Sequence, residues 1–169
     1  MYALQAHEAR VWHVGLFTAV MLGGQLVGSL VLGWLADRAG HRLVIAVGAA
    51  AMTCASLTAL VAPSLLLYGP VFALAGIHQA AIHVSSLNVL LEFAPSADER
   101  PTYVGLGTTT LAPVVFVAPL LAGVMVDAWG FASIFVTATV ASALALGLLV
   151  ARVRDPRAAL PLRARGASS

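Results

Sequence analysis

Residues 33–44 read GWLADRAGHRLV, with an acid, two arginines, a histidine and two glycines in one short cluster. Long apolar runs flank it, Val11 to Leu35 before and Leu43 to Ala62 after. A soluble domain spreads charge over its whole surface. Here charge is confined to a turn between hydrophobic segments, and the arrangement repeats along the chain.

Three further runs follow: Leu65 to Leu91, Val104 to Val126, and Phe131 to Val150. Each is about 20 residues or longer, enough for a helix to cross the roughly 30 Å hydrocarbon core of a bilayer. None contains Asp, Glu, Lys or Arg; the 9 basic and 7 acidic residues fall in the breaks or at the chain ends. Composition agrees: 60% of residues are hydrophobic and 9% charged, against about a quarter charged in soluble domains. In lipid the backbone must satisfy its own hydrogen bonds, so these runs are helices. Buried helices of a soluble protein would need a polar face for water, and none is left. The expected fold is an all-α polytopic transmembrane bundle of five spans over residues 1–151. Residues 152–169, rich in arginine, proline and small residues, read as a disordered basic tail.

The first run is too long for the apolar region of a signal peptide, and no A-x-A-like cleavage site follows it. It reads as a retained span. Every basic residue is arginine. The small cation surplus argues against a nucleic-acid partner, and the tail arginines suit anchoring at anionic lipid. Cys54 is the single cysteine and forms no internal disulfide.

The arginines orient the chain. Arg10 precedes the first run. Arg38, Arg42, Arg100, Arg152, Arg154, Arg157, Arg163 and Arg165 occupy alternate breaks and the tail. The positive-inside rule places this larger set in the cytoplasm. The N-terminus is then outside and the C-terminus inside, in the plasma (inner) membrane of the cell. An odd span count with an external N-terminus carries the expectation that spans are missing upstream.

The opening stretch resembles the signature cytoplasmic loop of the major facilitator superfamily, roughly G-x-L-a-D-r-x-G-r-r/k. Gly33, Leu35, Ala36, Asp37, Arg38, Gly40 and Arg42 match, and His41 replaces the first basic residue after the second glycine. Gly33 would allow a neighbouring helix to approach, and Gly40 suits a tight left-handed turn. Asp37 would serve a helix N-terminus or an arginine. The ordinary alternative is a solvated turn with basic anchors. The family's fold has twelve helices in two six-helix halves, with this loop after the second and eighth. The five runs therefore resemble the second to sixth or the eighth to twelfth helices. The latter is preferred, because "FALAGIHQAAIHVSSLNVLLEFAP" lacks the arginine that the family's fourth helix often carries. The ending "GVMVDAWGFASIFVTATVASALALGLLVARVRDP" also resembles a family C-terminus. The resemblance implies transport of a small solute by a permease of the secondary-transporter type, with this chain a fragment forming the C-terminal part. The alternative is a half-transporter or non-transporting remnant that pairs with itself or with a separate N-terminal half.

Polar residues inside the spans are the candidate site. At 100° per residue, Gln79, His83 and Ser86 fall within about 60° of one another on the third helix. His78 and Ser85 form a second strip, and Asn88 points away from both. Gln25 lies mid-span in the first helix; His13 is near its outer end. Such groups should face the bundle interior or a water-filled cavity. One reading has Gln25, Gln79, His83 and Ser86 lining a substrate path; the other has them bonding between helices. No carboxylate lies in any span, which leaves His78 and His83 as the mid-membrane groups able to titrate near neutral pH. His78 and His83 have no nearby acid or cysteine, so no metal site is expected. A hydrolase built on Ser85 or Ser86 with His83 fails because neighbouring helix positions point apart. No enzyme activity and no cofactor are expected.

Packing residues are also legible. Gly24 and Gly28 form a G-x-x-x-G pair, and Ala118 and Ala122 repeat the spacing. Such pairs favour close helix contact in membranes. Pro113 and Pro119 should bend the fourth helix.

Overall fold

The computed structural model describes residues 11–62, 64–94 and 96–152. It contains five long helices: α1 (Val11–Ala39), α2 (His41–Val61), α3 (Tyr68–Phe93), α4 (Arg100–Trp129) and α5 (Phe131–Arg152). A single 3-10 turn, Leu65–Leu67, leads into α3. There is no strand among the described residues. All five helices are long and apolar enough to cross a membrane. Helices α1 and α2 extend past the charge-free runs where they meet, because the turn residues Asp37, Arg38, His41 and Arg42 join them. At 29 residues α1 is about 43 Å long, more than the hydrocarbon core requires. Arg10 and the tail after Arg152 lie outside the described residues.

Two tight turns carry glycines that no side chain could replace without strain. Gly40 joins α1 to α2 at φ 85°, and Gly130 joins α4 to α5 at φ 77°. At Gly40 ψ is 161°. The positive φ is as expected, but the residue is extended in ψ and is not left-handed helical. Pro113 and Pro119 both lie within one continuous helix, α4. Each removes one backbone donor.

Helix α3 is the axis of the packing. Along α1 the backbones nearly touch. A Cβ on Gly24 would lie 2.5 Å from the Ala73 carbonyl oxygen, and one on Gly76 would overlap the Met21 carbonyl. A Cβ on Gly28 would meet that of Ala80 at 3.0 Å. The Gly24/Gly28 pair therefore faces Gly76/Ala80, a second pair at the same spacing. Lipid tails are as apolar as the side chains, so close van der Waals contact holds such helices together. Phe17 stacks on Phe72 near the start of both helices, with ring centroids 5.0 Å apart. That end also carries Trp12 and His13, stacked at 3.8 Å, as suits a membrane–water interface.

Contacts along the helices give their directions. Phe17, Gly24 and Gly28 meet α3 in ascending order, so α1 and α3 run parallel. Gly48 meets His78 and Ala81 while His41 reaches Ser85, so α2 runs against α3. Helix α5 packs on the other side of α2, also antiparallel. The ends bearing Arg38, Arg42 and Arg100 thus lie together. Leu32, Ala36, Val44, Ala80 and Ala81 form the buried core there. Helix α4 touches α3 and α5 only lightly and has no buried residue.

Candidate functional site

The two polar strips of α3 have separate fates. His78 Nδ1–H donates to the Gly48 carbonyl of α2 at 2.9 Å. Ser85 is fully buried, with its hydroxyl 3.4 Å from His41 Nδ1. This strip ties α3 to α2 within the chain. Its close fit depends on Gly48, where a Cβ would lie 2.5 Å from the Ala81 Cβ.

Gln79, His83 and Ser86 are exposed. They lie on the open side of the five helices, not within them. Gln79 Nε2 is 3.4 Å from His83 Nε2. For the amide to donate there, that ring nitrogen must be unprotonated. A bilayer offers such groups no water, so an exposed polar strip at mid-helix calls for a polar surface opposite it. Gln25 is half-buried on α1, one residue after the Gly24 contact. Asn88 turns back on its own helix and donates to the Val84 carbonyl at 2.8 Å.

The signature turn is tied to the rest of the bundle by its basic end. Arg42 Nη2 donates to the carbonyls of Leu149 at 3.3 Å and Val150 at 3.1 Å. These belong to the last turn of α5, where carbonyls lack an intrahelical donor and the helix dipole favours a cation. Arg38 instead lies over the Trp34 ring, 4.1 Å from its centroid. Asp37 is exposed in the last turn of α1, the end of that helix where its own dipole disfavours an anion. A Cβ on Gly33 would meet nothing within 4 Å, so no helix among the described residues makes the close approach expected there.

One set of polar residues escaped the sequence reading. The hydroxyls of Thr53 and Ser142 are 2.9 Å apart, and those of Ser56 and Thr139 2.8 Å apart, across α2 and α5. The signal was available: Thr53 and Ser56 on α2, and Thr139 and Ser142 on α5, are each spaced i, i+3, which puts each couple on one helical face. The described residues contain no cluster of three or more metal-ligating side chains.

These features can be set beside known proteins. The multidrug resistance protein Stp of Mycobacterium tuberculosis is 31% identical over 121 residues in each of two strains. The alignment covers 72% of this chain and 22% of the relative, so the chain spans about a fifth of that protein's length. No solved structure matches. The sequence profile of the Major Facilitator Superfamily matches residues 2–168. That match runs through all five apolar helices and the turn between the first two, and on it the chain belongs to the Major Facilitator Superfamily.

Proposed function

We propose that this chain forms one wall of a secondary transporter that moves a small solute by alternating access. Gln79, His83 and Ser86 line the substrate path, and Gln25 contributes from α1. The observation that carries this reading is the exposed strip on α3. Its three polar residues are exposed, whereas the neighbouring His78/Ser85 strip is bonded to α2 inside the bundle. A cavity between two repeats near the bilayer midplane would supply the missing polar surface. The name of the Mycobacterium relatives, multidrug resistance protein, suggests drug-like compounds as the substrate class. In this reading the chain corresponds to the eighth to twelfth helices, the arginine-bearing end faces the cytoplasm, and an N-terminal half or a second copy completes the path.

The chain alone should not transport. Proteoliposomes containing it by itself should take up a lipophilic fluorescent dye at the background rate, while addition of a facing half should give saturable uptake. In detergent it should run as a dimer or larger species by light scattering. A well-behaved monomer with saturable uptake would place the path within five helices and overturn the proposal. Orientation has its own test. Single cysteines at Ala3 and Ala167, in a Cys54→Ala background, should label with an impermeant reagent in intact cells at position 3 only.

A second reading, a subunit that pairs without transporting, rests on the same open strip. It predicts assembly with a facing half but uptake that stays at background.

A further inference from the structure

We infer that the cleft between the start of α2 and the end of α5 is a binding site for the phosphate headgroup of an anionic phospholipid, held by Arg42. The cleft has a volume of about 330 Å³ and is lined by Ala39, Arg42, Leu43, Ala46, Leu149 and Val150. This is at the lower end of the range for small-molecule sites. Arg42 provides the one charged side chain of the lining among the described residues. A guanidinium has five N–H donors. The two on Nη2 point at the Leu149 and Val150 carbonyls, while Nε and Nη1 have no partner among the described residues. No carboxylate among the described residues pairs with Arg42 there. The two carbonyl contacts fix the side chain at the mouth of the cleft, so a phosphate would meet a positioned fork and not a mobile chain.

The walls decide which kind of phosphate. Leu43, Ala46, Leu149 and Val150 are apolar, and the surfaces beyond them are too. Ile45, Leu148 and Val150 are exposed on the outer faces of α2 and α5. A free phosphate gains nothing from such walls, whereas a phospholipid can lay an acyl chain along them while its headgroup stays with Arg42. The level is right as well: Arg42 stands one residue into α2, where the apolar run begins, at the depth of the headgroup region. Basic pockets between helices at this depth suit anionic headgroups.

The test is native mass spectrometry of the chain purified in mild detergent and titrated with phosphatidylglycerol or phosphatidylcholine. The wild-type chain should retain phosphatidylglycerol at least about fivefold better, the ratio given by about 1 kcal/mol per arginine at a membrane surface. Arg42→Gln should abolish the preference, and Arg42→Lys should keep part of it. Arg100→Gln removes another cation from the same end and should leave the preference intact. Ala46→Phe fills the cleft while keeping Arg42 and should also weaken retention. Circular dichroism should show the wild-type helix content in every variant used. If Arg42→Gln does not fold, Ala46→Phe decides by itself. Unchanged preference in Arg42→Gln or in Ala46→Phe would overturn the inference. Displacement of the lipid by millimolar inorganic phosphate would overturn the lipid in favour of a free anion.

Discussion

The two polar strips of α3 have nearly the same composition and opposite surroundings. His78 and Ser85 face α2 and bond to Gly48 and His41. Gln79, His83 and Ser86 are exposed among the described residues. A polar group inside a membrane is retained only where something satisfies it. The first strip meets that requirement locally and accounts for how α3 is held. The second does not among the described residues, and in the proposed transporter a facing half would supply its partner. The same contrast separates the glycines. Gly24, Gly28, Gly48 and Gly76 are filled against neighbours, while Gly23 and Gly33 meet open space.

The largest effect should come from adding a single methyl group on the packed side. Gly76→Ala drives a Cβ into the Met21 carbonyl, which is backbone and cannot step aside. The α1–α3 contact should be lost at a cost of about 3 kcal/mol or more. Gly23→Ala meets nothing and should change stability by less than about 0.5 kcal/mol. Denaturant titration in detergent, followed by helix content, reads both. Equal stability of the two variants would mean that the parallel α1–α3 contact is not the main joint of the bundle.

The second prediction divides the strips by readout. In the assembled transporter, Gln79→Ala and His83→Ala should each lower transport about tenfold, the value of a lost hydrogen bond of roughly 1.4 kcal/mol. Thermal stability should be unchanged. His78→Ala should do the reverse, losing about 0.6 to 2 kcal/mol of stability through the Gly48 bond with substrate affinity preserved. Transport lost in the His78 variant and kept in the His83 variant would exchange the roles assigned to the two faces.

Much of this was legible before any coordinates. Charge-free runs mark spans because a bilayer forbids unpaired charge, and the helices follow them closely. The 100° step separated the His78 and His83 strips, since five residues turn a helix through 500°. What periodicity cannot say is which strip meets a neighbour, because that depends on the order of helices in space. Sequence separation hides the α2–α5 contact. Arg42 was assigned to the signature turn, yet its partners are backbone carbonyls of Leu149 and Val150. Every residue has a carbonyl, so such a partner leaves no trace in the sequence. Gly33 shows the opposite case. The resemblance implies a close approach, and none is made at Gly33 among the described residues.

Asp37 gives a smaller effect of a different kind. It sits where the α1 dipole disfavours an acid, so its own helix gains nothing from it through the dipole. It should bias the equilibrium between transporter conformations without touching substrate. Asp37→Asn should slow transport severalfold, as a shift of about 1 kcal/mol in a two-state equilibrium would. Substrate affinity measured in the same membranes should stay within about twofold. Loss of binding in a folded variant would move Asp37 into the substrate site.

The smallest effect tests the joint that the open strip lacks, a polar contact satisfied between two helices. Thr53 meets Ser142 and Ser56 meets Thr139, each pair within 3 Å across α2 and α5. Each hydroxyl also lies near a carbonyl one turn back on its own helix. Loss of the cross-helix partner therefore leaves it satisfied, and the net contribution must be small. Double-mutant cycles on Thr53→Val with Ser142→Ala, and on Ser56→Ala with Thr139→Val, should give coupling energies near 0.6 kcal/mol each. The strip on α3 differs at this point. Among the described residues Gln79 and His83 reach only each other, at a long 3.4 Å, and neither bonds a carbonyl of its own helix. Adding a facing half should therefore change the coupling between Gln79 and His83 and leave the Thr53–Ser142 value where it was. If both couplings respond alike, the facing half acts on the whole bundle and not on the open strip.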